Sequence, residues 1–115
     1  MTVSIFIFSY RKASVTPEEF RTQTEEVLVP LLKEITGEHF PLSHTRRYIQ
    51  HTAGAEIGAD AIAELTFTDQ AALGAFIGAL KQPGNDARIT EVEGKFTDSN
   101  KTSIVTVTET SITKK

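Results

Sequence analysis

Hydrophobic residues near the start of the chain occupy both alternating sets of positions. Residues 3–8 read Val-Ser-Ile-Phe-Ile-Phe, a run rich in β-branched and aromatic side chains. Such a run is typical of a strand in the middle of a sheet whose two faces are both covered. We therefore predict a central strand here, and one of its faces would carry Phe6, Phe8 and Tyr10.

A helix is predicted after this strand. Thr16-Pro17-Glu18-Glu19 combines a hydroxyl N-cap, a proline at the first helical position and a glutamate that closes a capping box. From Phe20 onwards, apolar residues recur at helical spacing as far as about Gly37. Because Pro30 removes one backbone hydrogen bond inside this helix, we expect a kink there.

A second helix is predicted later in the chain. Asp69 supplies its N-cap, an apolar stripe that includes Phe76 follows, and Pro83-Gly84 ends it. Apolar residues at helical spacing between Ile89 and Phe96 predict one further short helical piece.

Three more strands complete the pattern. Residues 43–52 have strand character with polar side chains on both faces, which is typical of an edge strand. Residues 61–67 alternate around a small apolar face, and residues 102–108 alternate near the end of the chain. The predicted order is β-α-β-β-α-β, the ferredoxin-like arrangement of an α+β domain.

The predicted topology leaves one side of the sheet without helices. Right-handed crossovers place both helices on the same side. The other side would then expose an apolar set made of Phe6, Phe8, Ala61, Ala63 and Leu65. We predict that a second copy covers this side, because such large exposed patches are unusual on a monomer. The homodimer would enclose a pocket between two sheets for a small apolar or aromatic substrate. An interface packed without any space is the alternative.

Composition and charge narrow the possible functions. The 115 residues fit one domain over 1–115, and a net charge of −3 is unfavourable for nucleic-acid binding. With no cysteine, disulfides and thiolate metal sites are excluded, and we expect a cytoplasmic protein. No apolar run is long enough for a signal peptide or a membrane span. Neither metal-ligand spacing nor a glycine-rich phosphate loop is present, so we expect no metal and no nucleotide cofactor.

Six short segments resemble, in this order, the EthD-domain proteins and above all their fungal members. They are Tyr10-Arg11-Lys12, Thr16-Pro17-Glu18-Glu19-Phe20-Arg21, Val27-Leu28-Val29-Pro30-Leu31, Arg47-Tyr48, Glu64-Leu65-Thr66-Phe67 and Glu93-Gly94-Lys95-Phe96-Thr97-Asp98. The resemblance implies a dimeric α+β barrel and a small enzyme that tailors an aromatic polyketide by dehydration, decarboxylation or cyclisation without a cofactor. Leu28 departs from the pattern, since many relatives carry a histidine there. If that histidine is the acid or base, this chain uses another residue or has lost the reaction.

Polar side chains of the predicted edge strand are candidates for such chemistry. Dehydrating or closing a polyketide needs a base with a pKa near neutrality, an acid, and donors for an enolate oxygen. His44, Arg46 and Tyr48 share one face and would supply a base, an anion clamp and a phenolic donor. The alternative is that these groups form the solvated surface of an edge strand.

Two carboxylates and an apolar set complete the predicted site. Glu64, inside an apolar strand, could have a raised pKa, or it could pair with an arginine of the neighbouring strand. Asp98 could act as an acid or base, or it could cap a local turn. The predicted substrate-binding residues are Phe6, Phe8, Tyr10, Phe20, Ala61, Ala63, Leu65 and Phe76.

Three functions remain open from the sequence. The first is a cofactor-independent lyase or cyclase that acts on an aromatic polyketide intermediate. The second is a cofactor-free monooxygenase in which oxygen attacks a substrate carbanion. The third is a binding or carrier protein for an apolar metabolite, which Leu28 in place of the family histidine favours.

Overall fold

One antiparallel sheet forms the frame of the computed structural model, which describes residues 2–54 and 58–115. Its strands are β1 (Val3–Ser9), β2 (Ser43–Tyr48), β3 (Ala61–Phe67) and β4 (Ser103–Thr106). They lie in the order β2-β3-β1-β4, so β2 is the predicted edge strand. With helices in both crossovers, this is the predicted ferredoxin-like α+β fold.

The first crossover is a long helical segment that changes its winding in the middle. Helix α1 (Pro17–Gln23) starts with the predicted capping box. The Thr16 hydroxyl accepts from the Glu19 N–H at 3.1 Å, and the Glu19 carboxylate accepts from the Thr16 N–H at 3.4 Å. A π-helical turn (Thr24–Leu28) follows and leads directly into α2 (Val29–Thr36).

The irregularity in this segment lies just before Pro30 rather than at it. The backbone N–H of Val29 donates to the carbonyl of Thr24, five residues back instead of four. Pro30 has no N–H to offer the Glu26 carbonyl, so the regular hydrogen-bond ladder is already interrupted at this point. The wide turn therefore ends two residues before Pro30, the position at which we predicted a kink, and Glu25 within this turn reaches Arg46 on the sheet.

The second crossover contains two helices. Helix α3 (Gln70–Lys81) is capped by Asp69, whose carboxylate accepts from the Ala72 N–H at 2.8 Å. Helix α4 (Pro83–Glu93) begins almost at once, so Pro83 stands after the end of one helix and in the first turn of the next. Helix α4 contains the first part of the predicted further helical piece but ends before Phe96.

The hydrophobic core lies between the sheet and the helices. Five buried side chains from β1, β3 and α3 form one cluster, namely Ile5, Leu65, Phe67, Leu73 and Phe76. A second cluster joins the start of the first crossover to the end of the second, and it contains Val15, Phe20, Ala61 and Phe96. Burial on this side of the sheet holds the helices in place.

The common apolar face that we predicted for β1 and β3 is wrong. We expected one face to carry Phe6, Phe8, Ala61, Ala63 and Leu65. In the observed register Phe6 is opposite Glu64, whereas Ala63 is opposite Ile7. Because directly paired residues project to the same face, the phenylalanines and the alanines lie on opposite sides of the sheet.

The face without helices is partly apolar. Phe8 is opposite Ile62 on β3, and Phe6 is opposite Val105 on β4. Val105 is 46% exposed, and the two phenylalanines are half-buried. This face is the surface that our predicted homodimer would use.

Candidate active site

A cavity of about 200 Å³ lies between the helix side of the sheet and the crossover helices. Its walls are mostly apolar, and the short alanine side chains of β3 leave space beneath the helices. Five of the residues predicted to bind substrate line this cavity, namely Phe20, Ala61, Ala63, Leu65 and Phe76. The space lies within one chain, whereas we predicted a pocket between two sheets.

The other three predicted substrate-binding residues lie away from this cavity. Phe6 and Phe8 project from the opposite face of the sheet, as their partners on β3 show. Tyr10 borders a surface groove together with Asp98 and Lys101. The register explains the difference for Phe6 and Phe8, since a shift of one residue moves a whole set of side chains to the other face, whereas Tyr10 lies just beyond the end of β1.

Arg46 and Glu25 form a bidentate ion pair beside the cavity. Arg46 Nε lies 2.6 Å from Glu25 Oε2, and Arg46 Nη2 lies 3.1 Å from Oε1. The guanidinium lowers the pKa of Glu25, and the carboxylate raises that of Arg46. Both groups therefore stay charged at neutral pH.

His44 lies next to this pair and lines the cavity. Its Nδ1 is 2.8 Å from Arg46 Nη1, and its ring stacks on Phe40 with 6.0 Å between centroids. Burial and the nearby guanidinium both lower the pKa of His44. The imidazole is therefore neutral at pH 7, and its Nδ1 is occupied by an arginine donor.

Tyr48 completes the polar network but points its hydroxyl at Glu25. The phenol donates to Glu25 Oε2 at 2.6 Å, and the ring packs edge-on against Phe20 with 6.3 Å between centroids. Burial and the hydrogen bond to Glu25 raise the pKa of Tyr48 to about 12. The hydroxyl therefore stays protonated and serves to hold Glu25.

Glu93 is a cavity residue that we did not predict as part of the site. It is the last residue of α4, it lines the cavity, and burial raises its pKa. The spacing of Ile89, Glu93 and Phe96 would have revealed it, because positions four and seven residues apart share one helix face. A carboxyl on an apolar stripe is a signal for a perturbed acid.

Thr102 brings a second polar group to the cavity wall. Its hydroxyl oxygen is fully buried and has no hydrogen-bond partner within residues 2–54 and 58–115. Buried hydroxyls are normally paired, so this oxygen is available to a bound molecule or a water. Glu93 and Thr102 thus place polar groups in a mostly apolar space.

The two predicted carboxylates, Glu64 and Asp98, do not join this cluster. Glu64 lies on the face without helices, 3.3 Å from Arg47 Nη1, which is the arginine pairing that we gave as an alternative. The Asp98 carboxylate accepts from the Asn100 N–H at 3.3 Å, a local turn contact. Both stay predicted site residues, but neither lines the cavity.

Residues 2–54 and 58–115 contain no cluster of three or more His, Asp or Glu side chains that could hold a metal ion. Across the same residues, every helix is too short or too polar to cross a membrane.

Comparisons with known proteins place this fold in a family. The profile of the EthD domain matches residues 12–100 of the chain. No curated protein matches the sequence. Among solved structures, an ethyl tert-butyl ether D (EthD) family protein from Bacillus halodurans superimposes on this chain with a TM-score of 0.64 at 16% identity. The match covers 96% of this chain and 100% of that chain.

Two further solved structures share the fold. A dimeric ferredoxin-like protein of unknown function from Thermobifida fusca has a TM-score of 0.59 at 14% identity, over 93% of this chain and 90% of its own. SnoaB, a cofactor-independent oxygenase from Streptomyces nogalater, has a TM-score of 0.57 at 15% identity, over 96% of this chain and 95% of its own. At these identities the likeness shows the fold alone.

Proposed function

We propose that this chain, which belongs to the EthD-domain family, is a cofactor-independent enzyme that acts on a small aromatic polyketide intermediate. The observation that carries the proposal is that a half-buried carboxyl, Glu93, and a half-buried imidazole, His44, both line one mostly apolar cavity. Burial raises the pKa of Glu93 and lowers that of His44. Perturbed acids and bases in an apolar pocket are typical of proton-transfer sites.

The cavity sets an upper limit on the ligand. A dry protein cavity of about 150 Å³ holds one benzene molecule. At about 200 Å³, this cavity suits one substituted ring or two fused rings. The substrate would therefore be an early, small aromatic intermediate rather than a large polycyclic one.

Glu93 is the residue that we propose as the acid and base. Its raised pKa lies closer to neutrality than that of an exposed carboxyl, which suits proton transfer at pH 7. The carboxylate would take a proton from the carbon beside a substrate carbonyl, and His44 would donate a hydrogen bond to the enolate oxygen that forms. Loss of a β-hydroxyl as water, or ring closure onto a second carbonyl, can follow from this enolate. Loss of carbon dioxide would instead form the enolate directly, and protonated Glu93 would then give its proton to the carbon.

Leu28 bears on the choice of Glu93. Leu28 lines the cavity at the position where the resemblance to the family led us to expect a histidine. An acid or base contributed by α4 would replace that histidine and leave an apolar wall on the first crossover.

A carrier protein and a monooxygenase are the two other candidates. The carrier is favoured by the same Leu28, which removes the expected catalytic group from the cavity. The monooxygenase is favoured by the fold that this chain shares with SnoaB, a cofactor-independent oxygenase. Both use the same apolar cavity, so a single set of measurements can separate them.

The test is incubation of the protein with aromatic β-keto acids of one and two rings. Mass spectrometry would follow loss of water or carbon dioxide, and an oxygen electrode would record oxygen uptake in parallel. We expect turnover without oxygen uptake, and a loss of about a hundredfold or more in kcat for Glu93→Gln. The matched control is Glu34→Gln on α2, whose side chain is 65% exposed and does not line the cavity, so it should keep the wild-type rate.

Each other outcome favours a different function. Tight binding of these compounds without turnover would indicate a carrier. Oxygen uptake would indicate the monooxygenase. Turnover that Glu93→Gln leaves unchanged would remove this residue from the reaction.

We also propose a homodimer formed through the face without helices. The half-buried Phe6 and Phe8 and the exposed Val105 support it, as does the shared fold with a dimeric ferredoxin-like protein. In sedimentation equilibrium, Val105→Glu should be monomeric at concentrations where the wild type is a dimer. Ile77→Glu on α3, a residue of similar exposure, should remain dimeric. A wild-type monomer at these concentrations would contradict the proposal.

A further inference from the structure

The polar network around His44 assigns a protonation pattern to its ring. We infer that Glu25 and Arg46 hold His44 as the tautomer with its proton on Nε2, so that it presents a hydrogen-bond donor to an oxygen of the bound ligand. The tautomer follows from geometry in the ligand-free chain. The identity of the ligand atom rests on the proposed function.

The first step is the contact between Arg46 and the imidazole. Arg46 Nη1 lies 2.8 Å from His44 Nδ1 and 2.6 Å from the His44 carbonyl oxygen. A guanidinium carries only donors and does not lose its proton in proteins, so His44 Nδ1 must offer its lone pair. The ring proton of neutral His44 is then on Nε2.

The second step is what keeps Arg46 in this position. Glu25 takes Nε and Nη2 of Arg46 in a bidentate contact, which leaves Nη1 directed at His44. Tyr48 donates to the same carboxylate at 2.6 Å and so fixes Glu25 in turn. Glu25 therefore acts on His44 through Arg46, as a positioning residue.

The third step is the origin of Glu25 in the sequence. It follows Phe20 by five residues, a spacing that a regular α-helix would place away from the apolar stripe. The π-helical turn (Thr24–Leu28) widens the helix at this point, and Glu25 reaches the sheet. Single π-helical turns are frequent at functional sites.

The consequence concerns the ligand. His44 lines the cavity, and no protein atom within residues 2–54 and 58–115 accepts a hydrogen bond from its Nε2. A donor without a protein acceptor favours a ligand that brings an acceptor oxygen, such as an aryl ketone or a phenolate. The site would discriminate against a hydrocarbon of the same shape.

The tautomer can be measured without any substrate. Long-range ¹H–¹⁵N correlation spectra of uniformly labelled protein, at a pH where His44 is neutral, distinguish protonated from unprotonated ring nitrogens. We expect wild-type His44 and the control Arg47→Met to be entirely in the Nε2–H form. Glu25→Gln and Arg46→Met should show the exchanging mixture of a free imidazole.

Two results would overturn the tautomer assignment. One is a wild-type spectrum in which Nδ1 carries the proton. The other is an unchanged, single tautomer in a folded Glu25→Gln protein. Should Arg46→Met fail to fold, Arg46→Lys keeps the charge but loses the planar fork, and it should give the same mixture.

The hydrogen bond from His44 to a ligand oxygen can be tested with two small probe compounds. Acetophenone and α-methylstyrene have the same shape, but only the first has an acceptor oxygen. We expect acetophenone to bind about three- to tenfold more tightly and to shift the His44 Nε2–H proton downfield. His44→Phe should abolish the preference. Equal binding of both probes overturns the donor role, whereas binding of neither contradicts the proposed cavity function and leaves the tautomer result standing.

Discussion

Neighbouring residues on β2 form two arginine–glutamate pairs that differ in their surroundings. On the helix side, Arg46 makes two contacts with Glu25, at 2.6 and 3.1 Å, and both side chains are largely covered. On the opposite face, Arg47 makes one contact with Glu64 at 3.3 Å, and the arginine is 57% exposed. The two pairs share their chemistry, but they differ in geometry and in access to water.

The side of the sheet on which these side chains lie, more than their residue type, therefore decides how strongly they interact. The hydrogen bonds from Arg46 and Tyr48 lower the pKa of Glu25 against the opposing effect of burial, and Arg46 in turn fixes the imidazole beside it. The Arg47–Glu64 pair lies where water competes with each contact.

The largest contrast should come from two adjacent residues of β3 that face opposite sides. Leu65 is 1% exposed in the core, whereas Thr66 lies on the other face, where its hydroxyl is 3.2 Å from that of Ser4. Leu65→Ala should lower the free energy of unfolding by about 3 kcal/mol, since it opens a cavity in the core. Thr66→Ala should cost about 1 kcal/mol or less. Urea denaturation measures both, and equal costs would contradict the assigned faces.

The second contrast removes each arginine in turn. Arg46→Met should lower the free energy of unfolding by about 1 to 2 kcal/mol, because it leaves the Glu25 carboxylate partly buried without its bidentate donor. Arg47→Met should cost less than about 0.5 kcal/mol, as for other exposed pairs. Urea midpoints at pH 7 check both values. If both variants lost the same free energy of unfolding, the side of the sheet on which each arginine lies would have no influence on stability.

The fold could be predicted because its signals are local. The capping box at Thr16, the alternation of residues 61–67 and the cap at Asp69 each depend on residues a few positions apart. All three were found in the structure. The fold class followed from the order of these elements and from the handedness of the crossovers.

The site could be predicted only in part. The side of the sheet to which a side chain points depends on how strands far apart in the sequence pair with each other. The register between β1 and β3 joins residues about sixty positions apart, and a shift of one residue exchanges the two faces. Glu25 was missed because the π-helical turn, which regular helical spacing does not anticipate, brings it to the sheet. His44 and Arg46 were grouped correctly on one face of β2, since alternation along a single strand is local.

A smaller effect should distinguish the two carboxyls near the cavity, Glu93 and Glu25. Replacing them should change the free energy of unfolding in opposite directions, and each change should depend on pH. Burial raises the pKa of Glu93 in the folded chain above its ordinary value, 4.5, so the ionised group destabilises the fold at high pH. Glu93→Gln should therefore raise the free energy of unfolding at pH 7, by about 0.5 to 1 kcal/mol. The gain should vanish as the pH falls below the ordinary value, where Glu93 is protonated in both states.

Glu25→Gln should instead lower the free energy of unfolding at pH 7. The pKa of Glu25 is lowered in the folded chain, so its contribution is present above the ordinary value, 4.5, and is lost as the pH falls through the lower folded value. Urea unfolding of both variants between pH 3 and pH 8 tests the pair. The same sign of change for both variants would contradict the proposed environments.

The smallest effect is the response of the two arginine variants to salt. At an ionic strength of 1 M the Debye length is about 3 Å, so exposed charges interact little, whereas partly buried ones are screened less. The stability difference between the wild type and Arg47→Met, below about 0.5 kcal/mol at low salt, should disappear in 1 M sodium chloride. Most of the stability lost in Arg46→Met should persist at high salt. In the wild type, the contacts of Arg46 with Glu25 are short and bidentate, and Tyr48 donates a hydrogen bond to the same carboxylate. Urea midpoints at 0.05 and 1 M salt measure both differences, and a loss in Arg46→Met that salt removes completely would make the Glu25 pair an ordinary surface pair.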